Sequence, residues 1–401
     1  MTNEQAYHLY MQDVHSAQLY VDWGWYFLIS AALQRRVWMS GAETAIFANQ
    51  FVVFTGPPGT GKSLVCTTVK NLLSEHIKYV GDAKLGDRVA QLPVFPIAAD
   101  STTFESLVEE TFNANSIHQI DDNNKYYHQS ILFILDELAS VFKQNAEDTT
   151  TFLLTTHSGA KYVRKTRHKG HFIITRPCVG MMACTVVDSL RELIRKHILD
   201  TGISARTVFL HAQMSRFRQI LIPERSEVQM QARNQITEHI RKLSTVFGRV
   251  DYAPGILGYM QTWWENRRAV VRNSNPALAS YYERKALHAN KMAMAVLFME
   301  QTDSLLIEKE HVDRAIAILD EAELTMHLPL SGGGRNELYT IALDVYEFIR
   351  THKGTMSELE IVSHFLPKAT SEELLQVFLK LEGQGKISRS KHEGRTIYRV
   401  V

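Results

Sequence analysis

The sequence predicts an α/β protein: a parallel sheet covered by helices, then a mainly helical part, then a small unit of three helices and a hairpin. Three observations predict this. Short continuous runs of β-forming apolar residues alternate with helix-compatible stretches across residues 46–222, as buried parallel strands do. From Glu224 to position 330 the apolar period becomes helical. Beyond Ser331-Gly-Gly-Gly-Arg335, a flexible linker by composition, three helical stretches precede two short strands around the turn signal Glu393-Gly394.

Taken in order, residues 1–45 read as a helical segment, in which 20–36 is an aromatic-rich amphipathic helix ending in Arg35-Arg36. Residues 51–55 are a strand, and a helix runs from Lys62 to about His76. Residues 92–98 are the second strand, followed by a helix that Ser101 or Thr102 caps and toward which Glu105 reaches back. Strands at 131–135, 172–174, 179–184 and 207–211 complete a core over 46–222. Helices follow over 223–330, with a turn at Pro254-Gly255, then the linker 331–335 and the last unit, 336–401. That unit reads as helices 337–352, 357–366 and 371–383 plus a hairpin, the winged-helix pattern.

The bulk numbers exclude several classes. Of 401 residues 45 % are hydrophobic and 22 % charged, and the formal net charge is +1, so any nucleic-acid surface is local. Cys66, Cys178 and Cys184 lack pairing or metal spacing and read as buried thiols of a reducing compartment. No signal peptide pattern opens the chain and no apolar run approaches a membrane span, so the expectation is a soluble intracellular protein without membrane contact.

Gly56-Pro57-Pro58-Gly59-Thr60-Gly61-Lys62-Ser63 satisfies G-x-x-x-x-G-K-[ST] between a strand and a helix. Such a loop turns its amides inward around a β-phosphate at a helix N-terminus, so this is a P-loop NTPase sheet with ATP as cofactor. Lys62 is expected on the β- and γ-phosphates, Ser63 on Mg²⁺, and Leu64 at the edge of the same site. The run 131–135 delivers Asp136 to the sheet's carboxyl edge, where it holds the Mg²⁺ water shell, and Glu137 to orient the attacking water. An Asp-Glu pair, rather than Asp before an apolar residue, favours hydrolysis over kinase-type transfer.

On these motifs the sequence resembles an AAA+ ATPase. The resemblance implies that Thr185, ending the strand 179–184, is sensor 1, although a strand-end Thr also serves as a cap. It implies that Arg206, in Asp200-Thr-Gly-Ile-Ser-Ala-Arg206, is an arginine finger completing a neighbour's site, and hence a homo-oligomer, a hexameric ring. The plain alternative is a surface-paired Arg. Asp100-Ser-Thr-Thr-Phe, Asp136-Glu-Leu, Arg176-Pro-Cys and Gly202-x-x-x-Arg206 resemble AAA+ proteins of phages and mobile elements, the primase-associated helicase type. That likeness implies a cytoplasmic protein of a bacterium or a phage-infected host. The stretch 281–329 resembles the lid of that family and of minichromosome-maintenance helicases, which makes Arg284 sensor 2, reaching the γ-phosphate from the lid, with Lys291 as substitute. By helix period alone Arg284 is a solvated face residue.

Lys161-Tyr-Val-Arg-Lys-Thr-Arg-His-Lys-Gly-His171 has five Lys/Arg, two His and no acid, between two β-type runs. This is a basic hairpin inserted before sensor 1. In helicase branches such a hairpin grips the DNA backbone in a ring pore, which assigns Lys165, Arg167, His168 and Lys169 to single-stranded DNA, a solvated face being the alternative. In the last unit the helix 371–383 is too acidic for phosphates, whereas Arg389, Lys391 and Arg395 make the wing the DNA contact; a replication-protein partner is the other use. Two functions stay open: an ATP-driven replicative DNA helicase, or an ATP-gated DNA-binding switch such as a helicase loader or transposition regulator.

Overall fold

The computed structural model describes residues 1–400 except 42–43, 82–88, 100–102, 122, 167–169, 197, 200, 218–220, 222, 272–275, 331–336, 353, 367–368 and 393–394. The linker 331–335 and the hairpin tip carrying Arg167, His168 and Lys169 therefore lie outside the described residues. Helices α1 (Asn3–Tyr10) and α2 (Gln18–Leu33) open the chain, followed by strands β1 (Val37–Met39) and β2 (Ile46–Phe47). Then come β3 (Phe51–Thr55), α3 (Lys62–Ser74), the hairpin β4 (Ile77–Gly81) and β5 (Val89–Pro93), and α4 (Phe104–Asn113). The hairpin β6 (Asn115–Gln119) and β7 (Lys125–Leu135) leads to α5 (Ala146–His157) and the hairpin β8 (Tyr162–Thr166) and β9 (Gly170–Ile174). Strand β10 (Pro177–Thr185), α6 (Val187–Arg195), α7 (Thr201–Ser204) and β11 (Thr207–His211) close this part.

The central sheet has the order β11-β3-β10-β7-β6. Strands β11, β3, β10 and β7 run parallel and β6 is an antiparallel edge. All residues of β3, β10 and β11 are buried, which is why they read as unbroken apolar runs. The strand expected at 92–98 is reduced to one parallel bridge, Ile97 to Leu132. Pro93 and Pro96 cannot donate to a ladder, and the residues up to Pro93 pair instead with β4. Thr103 caps α4, accepting from Ser106 N at 3.3 Å, rather than Ser101 or Thr102, which lie outside the described residues. Glu105 meets Asn145 and Arg164 at 3.3 Å each, and whether it also reaches back toward Ser101 or Thr102 falls outside the described residues.

The second half of this part contains α8 (Glu227–Leu243), β12 (Gly248–Tyr252), α9 (Ile256–Val271), α10 (Ala279–Tyr282), α11 (Lys285–Leu297), β13 (Leu306–Ile307) and α12 (Lys309–Leu330). It was not purely helical: β13-β12-β1-β2 forms a second sheet, with β12 parallel to β1. Residues 1–45 and 223–330, expected as separate units, thus share a sheet and one hydrophobic core running from Ala6 to Met326. Helix α2 is not amphipathic; its residues from Trp23 to Leu33 are all buried, against α3, α8 and α11. Arg35 and Arg36 turn inward and donate to main-chain carbonyls of Gly159 at 2.9 Å and Leu243 at 3.3 Å.

The last unit has its own core, from Ala342 to Tyr398. It contains α13 (Glu337–Thr351), β14 (Thr355–Ser357), α14 (Glu358–Phe365), α15 (Ser371–Gly383), β15 (Ile387–His392) and β16 (Arg395–Val400), in a sheet of order β14-β16-β15. It meets the rest of the chain through a two-pronged ion pair: Arg191 of α6, 6 % exposed, donates to both carboxylate oxygens of Asp344 on α13, at 2.9 and 3.2 Å. Asp344→Ala removes the carboxylate that both Nη atoms of a buried guanidinium meet, so it is expected to cost about 1–3 kcal/mol of stability by urea unfolding. An unchanged midpoint would show that the pair holds nothing.

Buried histidines shape the pH response, three of them through a folded pKa that can be stated. Burial pushes His128 down to about 3 and His211 and His288 to about 4, all below the ordinary 6.5. A histidine that is neutral when folded contributes its full stability above pH 6.5 and loses it as pH falls toward the folded value. Each is expected to cost about 1 kcal/mol by pH 5.5. A melting temperature that stayed level between pH 7 and 5 would contradict this.

No helix among the described residues is long and apolar enough to cross a membrane.

Candidate functional site: a phosphate loop and its acidic neighbours

Strand β3 ends at Thr55 and α3 starts at Lys62, so residues 56–61 form the connecting loop at the sheet's carboxyl edge. Gly59 and Gly61 have φ of +83° and +80°, which side-chain-bearing residues adopt only with strain. Lys62 Nζ folds back over the loop, donating to Gly56 O at 2.7 Å, Pro57 O at 2.9 Å and Thr60 Oγ1 at 3.3 Å. Partial burial holds this ammonium below its usual range, with Glu137 acting in the opposite sense. A Cβ on Gly59 would meet nothing within 4 Å, so this part of the loop stands open to solvent.

The sheet register brings the acidic pair to the same edge. Thr185 lies opposite Thr55, and Ala183 opposite Leu135, so Asp136 and Glu137 follow β7 at the level of Thr185. Thr185 Oγ1 donates to Glu137 Oε1 at 2.9 Å, and Ala139 N donates to the same oxygen at 3.2 Å. The expected water-orienting acid and the expected sensor are thus in direct contact. Asp136 and Ser63 are both exposed. A carboxylate and a hydroxyl are the hard oxygen donors that suit Mg²⁺, so these residues fit that ion. Beneath them, the thiols of Cys66 on α3 and Cys184 on β10 lie 3.4 Å apart, free and buried, a proximity that sequence spacing did not reveal. Their hydrogen bond and burial raise the Cys66 pKa.

The remaining expected residues are elsewhere. Arg206 precedes β11, whose first residue pairs with Phe51, so it sits at the opposite edge of the sheet. Its Nη1 donates to Gly202 O at 2.9 Å. The five-residue β3 separates it from the loop by roughly 16 Å. Arg284 requires a correction: it caps α11, whose His288 donates from Nε2 to Ala205 O (2.9 Å) and whose Lys291 donates to Asn49 O (2.7 Å). Helix α11 therefore crosses the edge opposite the phosphate loop, and Arg284 does not reach this chain's own γ-phosphate position. Lys291 is excluded as its substitute, being 4 % exposed and hydrogen-bonded to Asn49, with burial pushing its pKa down to about 7.

In the basic hairpin, Val163 pairs with Ile173 and Lys165 with His171 on one exposed face. Arg164 faces the other way, stacked over Phe104 at 4.1 Å and 3.3 Å from Glu105, so it fastens the hairpin to α4 instead of meeting a ligand. In the last unit Arg389 and Lys391 are exposed on β15, Arg389 lying 3.9 Å from Glu358; of Arg395 only its place at the start of β16 is described.

A parallel sheet with a glycine-rich loop before a helix and an Asp-Glu pair on the adjoining carboxyl edge defines an α/β P-loop NTPase. Residues 52–203 match the family model of the ATPase family associated with various cellular activities (AAA), a likeness that fits this sheet and its phosphate loop. No curated protein sequence matches the chain.

Proposed function

We propose that the protein is an ATP-hydrolysing, ring-forming DNA motor, a replicative helicase of the phage or mobile-element type. The observation that carries the proposal is the pairing of Glu137 with Thr185 at the phosphate-loop edge while Arg206 stands at the far edge. One chain then holds the water-orienting half of the site and offers the charge-neutralising half to a neighbour. The loop amides of 56–63 and Lys62 would bind the phosphates, Ser63 and Asp136 would hold Mg²⁺, and Leu64 would close the edge. An ion held there would supply positive charge against the phosphate oxygens. Glu137 accepts a hydrogen bond from the attacking water and orients it, and Thr185 fixes the Glu137 carboxylate by the bond already present.

Hydrolysis at the subunit interface would move the hairpin β8–β9, with Lys165, Arg167, His168 and Lys169 on one DNA strand. The hairpin enters β10 directly, and β10 ends at Thr185, so one strand joins DNA contact to nucleotide sensing. The last unit is read as a winged helix whose wing, with Arg389, Lys391 and Arg395, meets DNA. A second reading, an ATP-gated switch such as a loader, is favoured by one observation. Helix α15 exposes Leu375 and Leu379, 49 % and 58 %, a surface suited to a protein.

Strand displacement on a forked duplex with ATP tests the proposal. Unwinding by the wild type that is lost in Glu137→Gln and in Lys165→Ala/Lys169→Ala is the expected result. DNA-stimulated ATPase without unwinding would shift the assignment to the switch, and an ATPase indifferent to DNA would end both.

A further inference from the structure

One turn of helix α2 touches both ends of the phosphate loop. Ala17, its N-cap residue, donates its N–H to Thr60 O at 3.1 Å. Tyr20, one turn on, donates its hydroxyl to Thr55 O at 2.5 Å, the carbonyl just before Gly56, and accepts from Ala212 N at 3.1 Å. The Tyr20 ring is fully buried and stacks on Phe54 at 4.8 Å. The fit leaves no slack: a Cβ on Gly56 would lie 2.9 Å from the Tyr20 hydroxyl and 2.2 Å from Ala212 O, and one on Gly61 would lie 2.2 Å from His15 O.

Arg216 holds this segment down. Its guanidinium donates to Ser16 O at 3.1 Å, Met11 O at 2.9 Å, Val14 O at 2.8 Å and Gln18 Oε1 at 3.0 Å. The stretch after β11 and the stretch before α2 are thereby fastened to each other and to the loop between them. A phosphate-binding loop works by holding its amides in one shape before the anion arrives, because each amide that must be ordered on binding subtracts from affinity.

We infer that Tyr20 is a positioning residue for nucleotide binding, its hydroxyl setting the entry of the phosphate loop through Thr55. The inference rests on residues 56–63 being the nucleotide site. It separates from a merely structural role for a specific reason. Ala212 N also donates to Thr55 O at 3.2 Å, so when the hydroxyl is removed its two partners still satisfy each other. Tyr20→Phe is therefore expected to leave the fold intact while the loop entry relaxes. Ala17→Pro probes the other end: Ala17 has φ −62°, which proline shares, and the N–H facing Thr60 is lost.

The test is calorimetric titration of the full chain with ADP, beside steady-state ATP hydrolysis and melting of nucleotide-free protein, for wild type, Tyr20→Phe, Ala17→Pro and Lys62→Ala. The expected result for Tyr20→Phe is a rise of about tenfold in the ADP Kd and the ATP KM, as for one lost hydrogen bond. kcat should stay within about twofold because Glu137 and Thr185 are untouched, and Tm within about 2 °C. Ala17→Pro should raise KM in the same way, which keeps the inference testable should Tyr20→Phe fail to fold. Unchanged Kd and KM in either folded variant would overturn it, as would a lowered Tm with wild-type binding. Wild-type protein that binds ADP no better than Lys62→Ala would instead remove the nucleotide-site reading on which the inference stands.

Discussion

Arg206→Ala is expected to lower kcat by about a thousandfold or more while leaving ATP affinity nearly unchanged, as loss of an arginine finger does. The side chain stands at the sheet edge away from its own phosphate loop, so in the proposed ring its effect would pass between subunits. A mixing experiment makes that explicit. Lys62→Ala lacks the phosphate-side cation but keeps Arg206, and Arg206→Ala is the reverse. In a mixture, some interfaces pair an intact loop with an intact arginine, so the two inactive proteins should regain part of the wild-type rate. A mixture as inactive as its components, or an Arg206→Ala protein with wild-type kcat, would show that Arg206 serves no neighbour.

Glu137→Gln should reduce phosphate release by about two to four orders of magnitude, the contribution of a positioned general base, with ADP and ATP still bound. The amide keeps the side chain's size and can still accept from Thr185, so what is lost is the negative charge that orients water. Because Thr185 holds that carboxylate, Thr185→Val should repeat the kcat defect in milder form, about tenfold, without the KM change expected of Lys62→Ala. Phosphate release and nucleotide titration on the three variants separate these effects. Wild-type turnover in Glu137→Gln would remove Glu137 from the chemistry.

Much of the ATPase core was legible in the sequence for one reason: buried parallel strands are written as uninterrupted apolar runs. Strands β3 and β11 were read to the residue, and the Gly-rich loop between β3 and α3 is fixed by spacing alone. Where the sheet's edge carries Pro93 and Pro96, the same kind of run predicted a strand that the backbone cannot build. Strands β1 and β13 went unseen because three and two residues carry too little pattern, and the five residues of β12, of which only Val250 is buried, pair with partners far along the chain. The misplacement of Arg284 and Lys291 has a related cause. Helical period shows which side chains share a face, but not which edge of a sheet the helix will cross. Tyr20 left no signal at all, since nothing in the aromatic run of α2 distinguishes its hydroxyl from those of its neighbours until the loop is folded beside it.

The pairing of β1 with β12 bears on how the molecule comes to exist. Val37 finds its partner, Gly248, only after the entire ATPase sheet has been synthesised, and Met39 waits likewise for Val250. Until then α2 emerges with Trp23, Trp25 and Phe27 uncovered, and α8 and α11, which later enclose it, are not yet made. Long-range closure of this kind slows folding and prolongs the exposure of apolar surface. Refolding from denaturant should likewise be limited by this late joining of the chain's beginning to its middle.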